Sequence, residues 1–171
     1  QNSQAASRPA GGSSQTAASS GSGGGAGAAG SSAPAASGPS GVSGSSAVST
    51  SGGVSTLLAV AQSKLGCPYV WGAKGPNSFD CSGFVYWCLN QAGVNQSYIT
   101  SAGWRNVGRY TRISNFSDIR AGDIVVVSGH VGIAAGGGMV IDASSGHGRV
   151  IYHELGSWWA SRFICAWRIF G

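Results

Sequence analysis

At 171 residues and a net charge of +5, the chain has room for one ordinary domain and a tail. No stretch of eighteen apolar residues occurs, which excludes a membrane-spanning helix, and no dense Lys/Arg run occurs, which argues against a dedicated nucleic-acid surface. A mild, dispersed positive charge favours an anionic polymer, though ordinary solubility explains it equally well.

Residues 1–53 are almost entirely Ser, Gly, Ala and Pro, with Arg8 as the one charge and no aromatic ring. Such a segment cannot bury enough apolar surface to offset the entropy of ordering it, so a flexible linker is expected. It opens on Gln1 without a charged, apolar leader. A Ser/Gly/Ala tract this long suits an exported modular protein, so export is expected, with a further region preceding the linker. Residues 54–171 hold every Trp, Tyr, Phe and Cys, and nine basic against five acidic residues. They suffice for one core.

Residues 54–65 read as a helix: Leu57, Leu58, Ala61 and Leu65 recur at three- and four-residue spacing, Ser55 caps the start, and Gly66 with Pro68 ends it. A short extended piece, 68–72, leads into a turn-rich loop over 73–79. A second helix is expected from about 81 to 91, burying Phe84, Val85, Cys88 and Leu89 and ending near Gly93. Residues 94–117 carry little periodicity. Strands follow at 124–127, 130–135, 139–143, 150–153 and 163–169, separated by Gly-rich turns. Helices first and antiparallel strands after is the α+β pattern.

Four cysteines offer candidate nucleophiles. Cys81 sits at the expected start of a helix, where unpaired backbone N–H groups and the helix dipole favour an anion. Those N–H groups also suit a developing oxyanion. Cys88, two turns on, faces the core, and Cys67 and Cys165 lie in apolar or extended contexts. Buried free thiols are expected for these three, with a disulfide between two of them left open. No CxxC pair or zinc-type spacing is present, and no metal or organic cofactor is expected.

Among three histidines, His130 opens a strand after a Ser-Gly turn and is the best candidate base. His147 lies in a Gly-flanked loop that positions an imidazole poorly, and His153 ends a later strand as a surface residue would. Asp142 lies twelve residues after His130 on the paired strand. A symmetric, bulge-free hairpin would set the two side by side on one face, with the carboxylate holding the imidazole. Gly83 lets a substrate or neighbouring strand come close to the Cys81 turn.

Five stretches together resemble the NlpC/P60 family of papain-like cysteine peptidases: Pro-Tyr-Val-Trp-Gly (68–72), Phe-Asp-Cys-Ser-Gly-Phe-Val (79–85), Ala-Gly-Asp-Ile-Val (121–125), His-Val-Gly-Ile (130–133) and Ile-Asp-Ala (141–143). The resemblance covers about residues 55–170 and implies a papain-like α+β fold with N-terminal helices packed on an antiparallel sheet. It places the nucleophile on Cys81, the base on His130 and the third polar residue on Asp142, with Tyr69, Asp80 and Ser82 as substrate-binding residues. On the residues alone, Asp80 is a helix N-cap. The family's third residue is more often His, and the segment Ile124–Gly129 before His130 is short.

The resemblance implies a secreted or wall-associated endopeptidase acting on peptidoglycan stem peptides, commonly between D-iso-glutamate and the diamino acid, through a thioester. A monomer is expected, with no nucleic-acid partner and no membrane insertion. The alternatives are an amidase or transpeptidase using the same Cys/His pair, and a catalytically silent wall-binding module in which Trp104, Trp158 and Trp159 stack on sugars.

Overall fold

Two helices open the part of the chain that the computed structural model describes, residues 50–171. Helix α1 spans Thr50–Ser63 and helix α2 spans Cys81–Gln91. The first begins four residues earlier than its apolar periodicity predicts. The reason is tertiary: a Cβ on Gly53 would lie 2.5 Å from the Phe170 ring, so a residue that weakens a helix on its own sits where the end of the chain packs against it. Leu57 and Ala61 are buried as expected. Leu65 is 43% exposed, because the helix has ended by Ser63 and no longer directs that side chain inward. The expected linker falls mostly outside the described residues, and among those described no helix is long and apolar enough to cross a membrane.

Helix α2 has its expected bounds. Asp80 caps it with Oδ1, which accepts from Gly83 N at 2.6 Å, a contact of the kind worth about 1 kcal/mol. Phe84, Val85, Cys88 and Leu89 are buried on its inner face.

Six strands form one sheet: β1 Thr111–Ile113, β2 Ile124–Val127, β3 His130–Gly136, β4 Met139–Ser144, β5 Arg149–Glu154 and β6 Phe163–Arg168. Their order across the sheet is β1-β6-β2-β3-β4-β5, and every neighbouring pair is antiparallel. The fold is thus α+β, helices packed on an antiparallel sheet. One sheet face, with Ile124, Val126, Val131, Ile133 and Ile141, joins Leu57, Phe84, Val85 and Leu89 in the main core. The other face carries a smaller cluster of Val125, Val127, Ala134, Val140 and Trp159. Covering both faces explains why β2 is buried at every position and reads as an unbroken apolar run.

Three elements lie where periodicity is weak. Strand β1 is three residues long and pairs only with β6. The segment before it is held by long-range contacts: Trp104 is fully buried, its carbonyl accepts from Trp167 Nε1 at 2.5 Å, and Tyr110 Oη donates to Gln96 Oε1 at 2.6 Å. Helix α3, Ser157–Arg162, has six residues and no side-chain cap. At the sheet's far end, buried Asp123 receives both Nε and Nη2 of Arg168, at 3.1 and 2.9 Å, tying the Ala-Gly-Asp turn to β6.

Candidate functional site

The candidate site forms where the N-terminus of α2 meets the start of β3. Cys81 is the first residue of α2 and is 9% exposed. Asp80 takes the N–H of Gly83 with its side chain and that of Phe84 with its carbonyl, at 2.6 and 2.9 Å. Its second oxygen accepts from Gly72 N at 2.9 Å, which fastens the Pro-Tyr-Val-Trp-Gly loop to the helix start. Gly83 is required here by space. A Cβ on it would lie 2.0 Å from the Ala73 carbonyl oxygen, the atom that also accepts from Asp80 N.

His130 is the first residue of β3, placed by a two-residue Ser128–Gly129 turn in which Gly129 takes φ +75°. At this end of the strand it neighbours Cys81, which helps to raise its pKa. Its Nε2 lies 2.6 Å from Asp142 Oδ2, which leaves Nδ1 for the thiol. Burial pulls the His130 pKa down, but the hydrogen bonds and negative charge of Asp142 and Cys81 outweigh it, raising it to about 9. Burial likewise opposes the charged form of Asp142, and hydrogen bonds from His130 and His153 overcome that and hold the carboxyl below its usual range.

The β3–β4 hairpin is not the symmetric one its sequence suggests. The register shifts between Ala134 and Gly136, and Ile133 pairs with Ile141. Continued by one rung, Asp142 lies opposite Gly132, so His130 is its diagonal neighbour on the same face rather than its direct partner. Gly132 makes this reach possible. A Cβ there would come within 3.1 Å of Asp142 Cβ and 2.8 Å of Trp159 Cη2.

His153, expected as a surface residue, keeps its side chain 34% exposed and also reaches inward. Its Nε2 lies 2.5 Å from Asp142 Oδ1, so the carboxylate holds an imidazole on each oxygen. The available signal was strand parity: β4 and β5 pair Val140 with His153 and Asp142 with Ile151, which sets His153 on the Asp142 face. His147 is not loose in its loop, since its Nδ1 is 2.9 Å from Ser144 Oγ. His130, Asp142, His147, His153, Glu154 and Trp158 line part of a cavity of about 700 Å³.

Near Cys81, Tyr69, Asp80, Ser82 and Tyr98 come together. Ser82 Oγ lies 3.3 Å from Asp80 Oδ1 and 3.2 Å from Tyr98 Oη. Burial raises the Tyr69 pKa, and the neighbouring Cys81, Asp80 and Tyr98 raise it further, so the phenol stays neutral. Tyr98 belongs to the aperiodic segment and no sequence pattern marks it. Of the three Trp considered for stacking, Trp104 and Trp159 are buried in the cores, and Trp158 alone is exposed. The four cysteines are unpaired. Among the described residues no group of three or more His, Cys, Asp or Glu is arranged to hold a metal ion.

An α+β sheet domain carrying a helix-start cysteine against a His–Asp pair defines a papain-like arrangement. The NlpC/P60 family model matches residues 66–168, and the chain belongs to that family. It is 39% identical over 115 residues to a protein of Listeria grayi named as a probable endopeptidase p60, a match covering 64% of this chain and 22% of that protein. It is 40% identical over 102 residues to the probable endopeptidase Cgl2188 of Corynebacterium glutamicum, covering 58% and 47%. The chain thus spans between a fifth and a half of these relatives. Among solved structures it is similar to the NlpC/p60 domain of the peptidoglycan hydrolase SagA, with a TM-score of 0.55 and 33% identity, covering 67% of this chain and 97% of that one.

Proposed function

We propose that this chain is a cysteine endopeptidase that hydrolyses peptidoglycan stem peptides at the bond between D-iso-glutamate and the diamino acid, and that it acts outside the cell, at the wall. The observation that carries this reading is the Cys81–His130–Asp142 array at the start of α2, in a chain whose relatives include named endopeptidases and peptidoglycan hydrolases.

The geometry supports the following chemistry. His130 Nδ1 takes the Cys81 proton, and the Asp142 carboxylate, bonded to Nε2, stabilises the imidazolium that results. The thiolate attacks the amide carbonyl. The N–H groups of Cys81 and Ser82 belong to the first helical turn and have no intrahelical acceptor, so they are the donors for the oxyanion. His130 then protonates the leaving amine, and water attacks the thioester to release the acid and restore the thiol. Tyr69 and Ser82, beside Cys81, fit the role of holding the substrate's free amine together with Asp80, whose carboxylate also caps α2.

The test compares the protein with its Cys81→Ala variant on purified peptidoglycan, with fragments identified by mass spectrometry. Cuts within the stem peptide by the parent alone are expected. Equal release by both proteins would falsify the role of Cys81, and intact stem peptides freed from glycan would identify an amidase instead.

A further inference from the structure

We propose that His153 is a positioning residue for the catalytic array: by donating Nε2–H to the second oxygen of Asp142, it fixes the carboxylate that orients His130. The reaction read above needs only the Oδ2–His130 bond. A carboxylate held by one oxygen still turns about its terminal torsion, and an unpaired oxygen in a buried group is costly. Asp142 is that kind of group, with its side chain 3% exposed. Its Oδ1 is 2.5 Å from His153 Nε2 while Oδ2 is 2.6 Å from His130 Nε2. An ionised carboxylate only accepts, so both imidazoles present Nε2–H to it. This sets the His130 tautomer at one oxygen and closes off rotation at the other.

The surroundings hold His153 in this pose. Its ring lies 6.2 Å from that of buried Trp159, which also lies 5.4 Å from the His130 ring, so the two imidazoles share one aromatic support. Gly132 leaves the space in which Trp159 and Asp142 meet. The His147 ring, 6.2 Å away on the β4–β5 turn, and Glu154, next in the chain, are the other titratable groups beside it. His153 contacts no reacting atom; it acts through Asp142.

The proposal rests on the hydrolytic reading for its catalytic consequence, so the test includes a readout that needs no peptidoglycan. Gln places its amide nitrogen near the position of an imidazole Nε2, and Asn near that of Nδ1. His153→Gln and His153→Asn are compared with the parent for stem-peptide hydrolysis and for the rate of Cys81 alkylation by iodoacetamide across pH. His153→Asn is expected to lose about tenfold in kcat with KM within about twofold, and to slow Cys81 alkylation near neutral pH by a similar factor; His153→Gln is expected to stay within about threefold of the parent. Equal rates in all three proteins overturn the proposal. So does an equal loss in both variants, which would mean that the imidazole acts by packing. Circular dichroism melting confirms that each variant is folded, and because alkylation reads the Cys81–His130 pair directly, a wrong substrate assignment leaves this comparison intact.

Discussion

Gly132 lies directly against Asp142, and the absent side chain is what lets the carboxylate cross to His130. Replacing Gly132 with Ala puts a methyl group 2.8 Å from the Trp159 ring and 3.1 Å from Asp142 Cβ. Neither neighbour is a flexible chain end. Gly132→Ala is expected to cost about 1–3 kcal/mol in stability and to lower activity beyond that loss, because the shift falls on the residues that hold His130. Urea denaturation and stem-peptide hydrolysis on the same samples check it; full activity in a variant of parental stability would show that the close approach is unimportant.

Asp142→Asn keeps the shape of the array and removes its charge. Burial opposes the proton on His130, and Asp142 and Cys81 hold the pKa at about 9 against an ordinary 6.5. Without the carboxylate charge that value falls, so the alkaline limb of the kcat/KM profile moves to lower pH, and kcat drops by on the order of 10²–10⁴-fold.

The same pair makes stability depend on pH. A histidine whose folded pKa is raised contributes stability that is complete below about 6.5 and lost as pH rises towards about 9. Asp142, with its pKa lowered, contributes stability that is present above its ordinary value and lost as pH falls through the depressed one. The melting temperature of the parent is expected to decline between about pH 6.5 and 9, and Asp142→Asn to flatten that decline. Parallel melting curves in the two proteins would contradict the coupling.

The four thiols are expected to differ in reactivity. Cys88 and Cys165 are fully buried, and burial pushes both pKa values up, against the pull of Lys64 and Arg112 respectively. Brief iodoacetamide treatment of the native protein should modify Cys81 first, Cys67 more slowly, and the other two only after unfolding. Peptide mapping checks the order; early labelling of Cys88 would mean that α2 opens in the native state.

Gly83→Ala forces a methyl group to within 2.0 Å of the Ala73 carbonyl oxygen and 2.8 Å of Asp80 Oδ1, so the helix start and its cap are both disturbed. A loss of about 3 kcal/mol is expected. Gly146→Ala serves as the control: its backbone needs no positive φ, and its new methyl meets only Ser144 Oγ at 3.9 Å, so a change within about 0.5 kcal/mol is expected.

Much of this fold is written in local patterns. Helix α2 has its expected ends because Asp80 and the run from Phe84 to Leu89 are a cap and an apolar face within one short stretch. The strands from β2 to β5 stand out because Gly-rich turns separate them. Strand β1 and helix α3 escape this reading because three and six residues are too few to show a period, and their places are set by β6 and by the packing of Trp159.

The position of Cys81 at a helix start, and of His130 at the end of a Ser-Gly turn, follow from the sequence itself, because caps and turns act over a few residues. The tertiary structure decided the rest. The β3–β4 bulge put Asp142 on the His130 face, as its diagonal partner. The β4–β5 register brought His153 to the second carboxylate oxygen, and an aperiodic segment delivered Tyr98 to Ser82. These contacts join residues on different elements, and only the packed sheet fixes the distances between them.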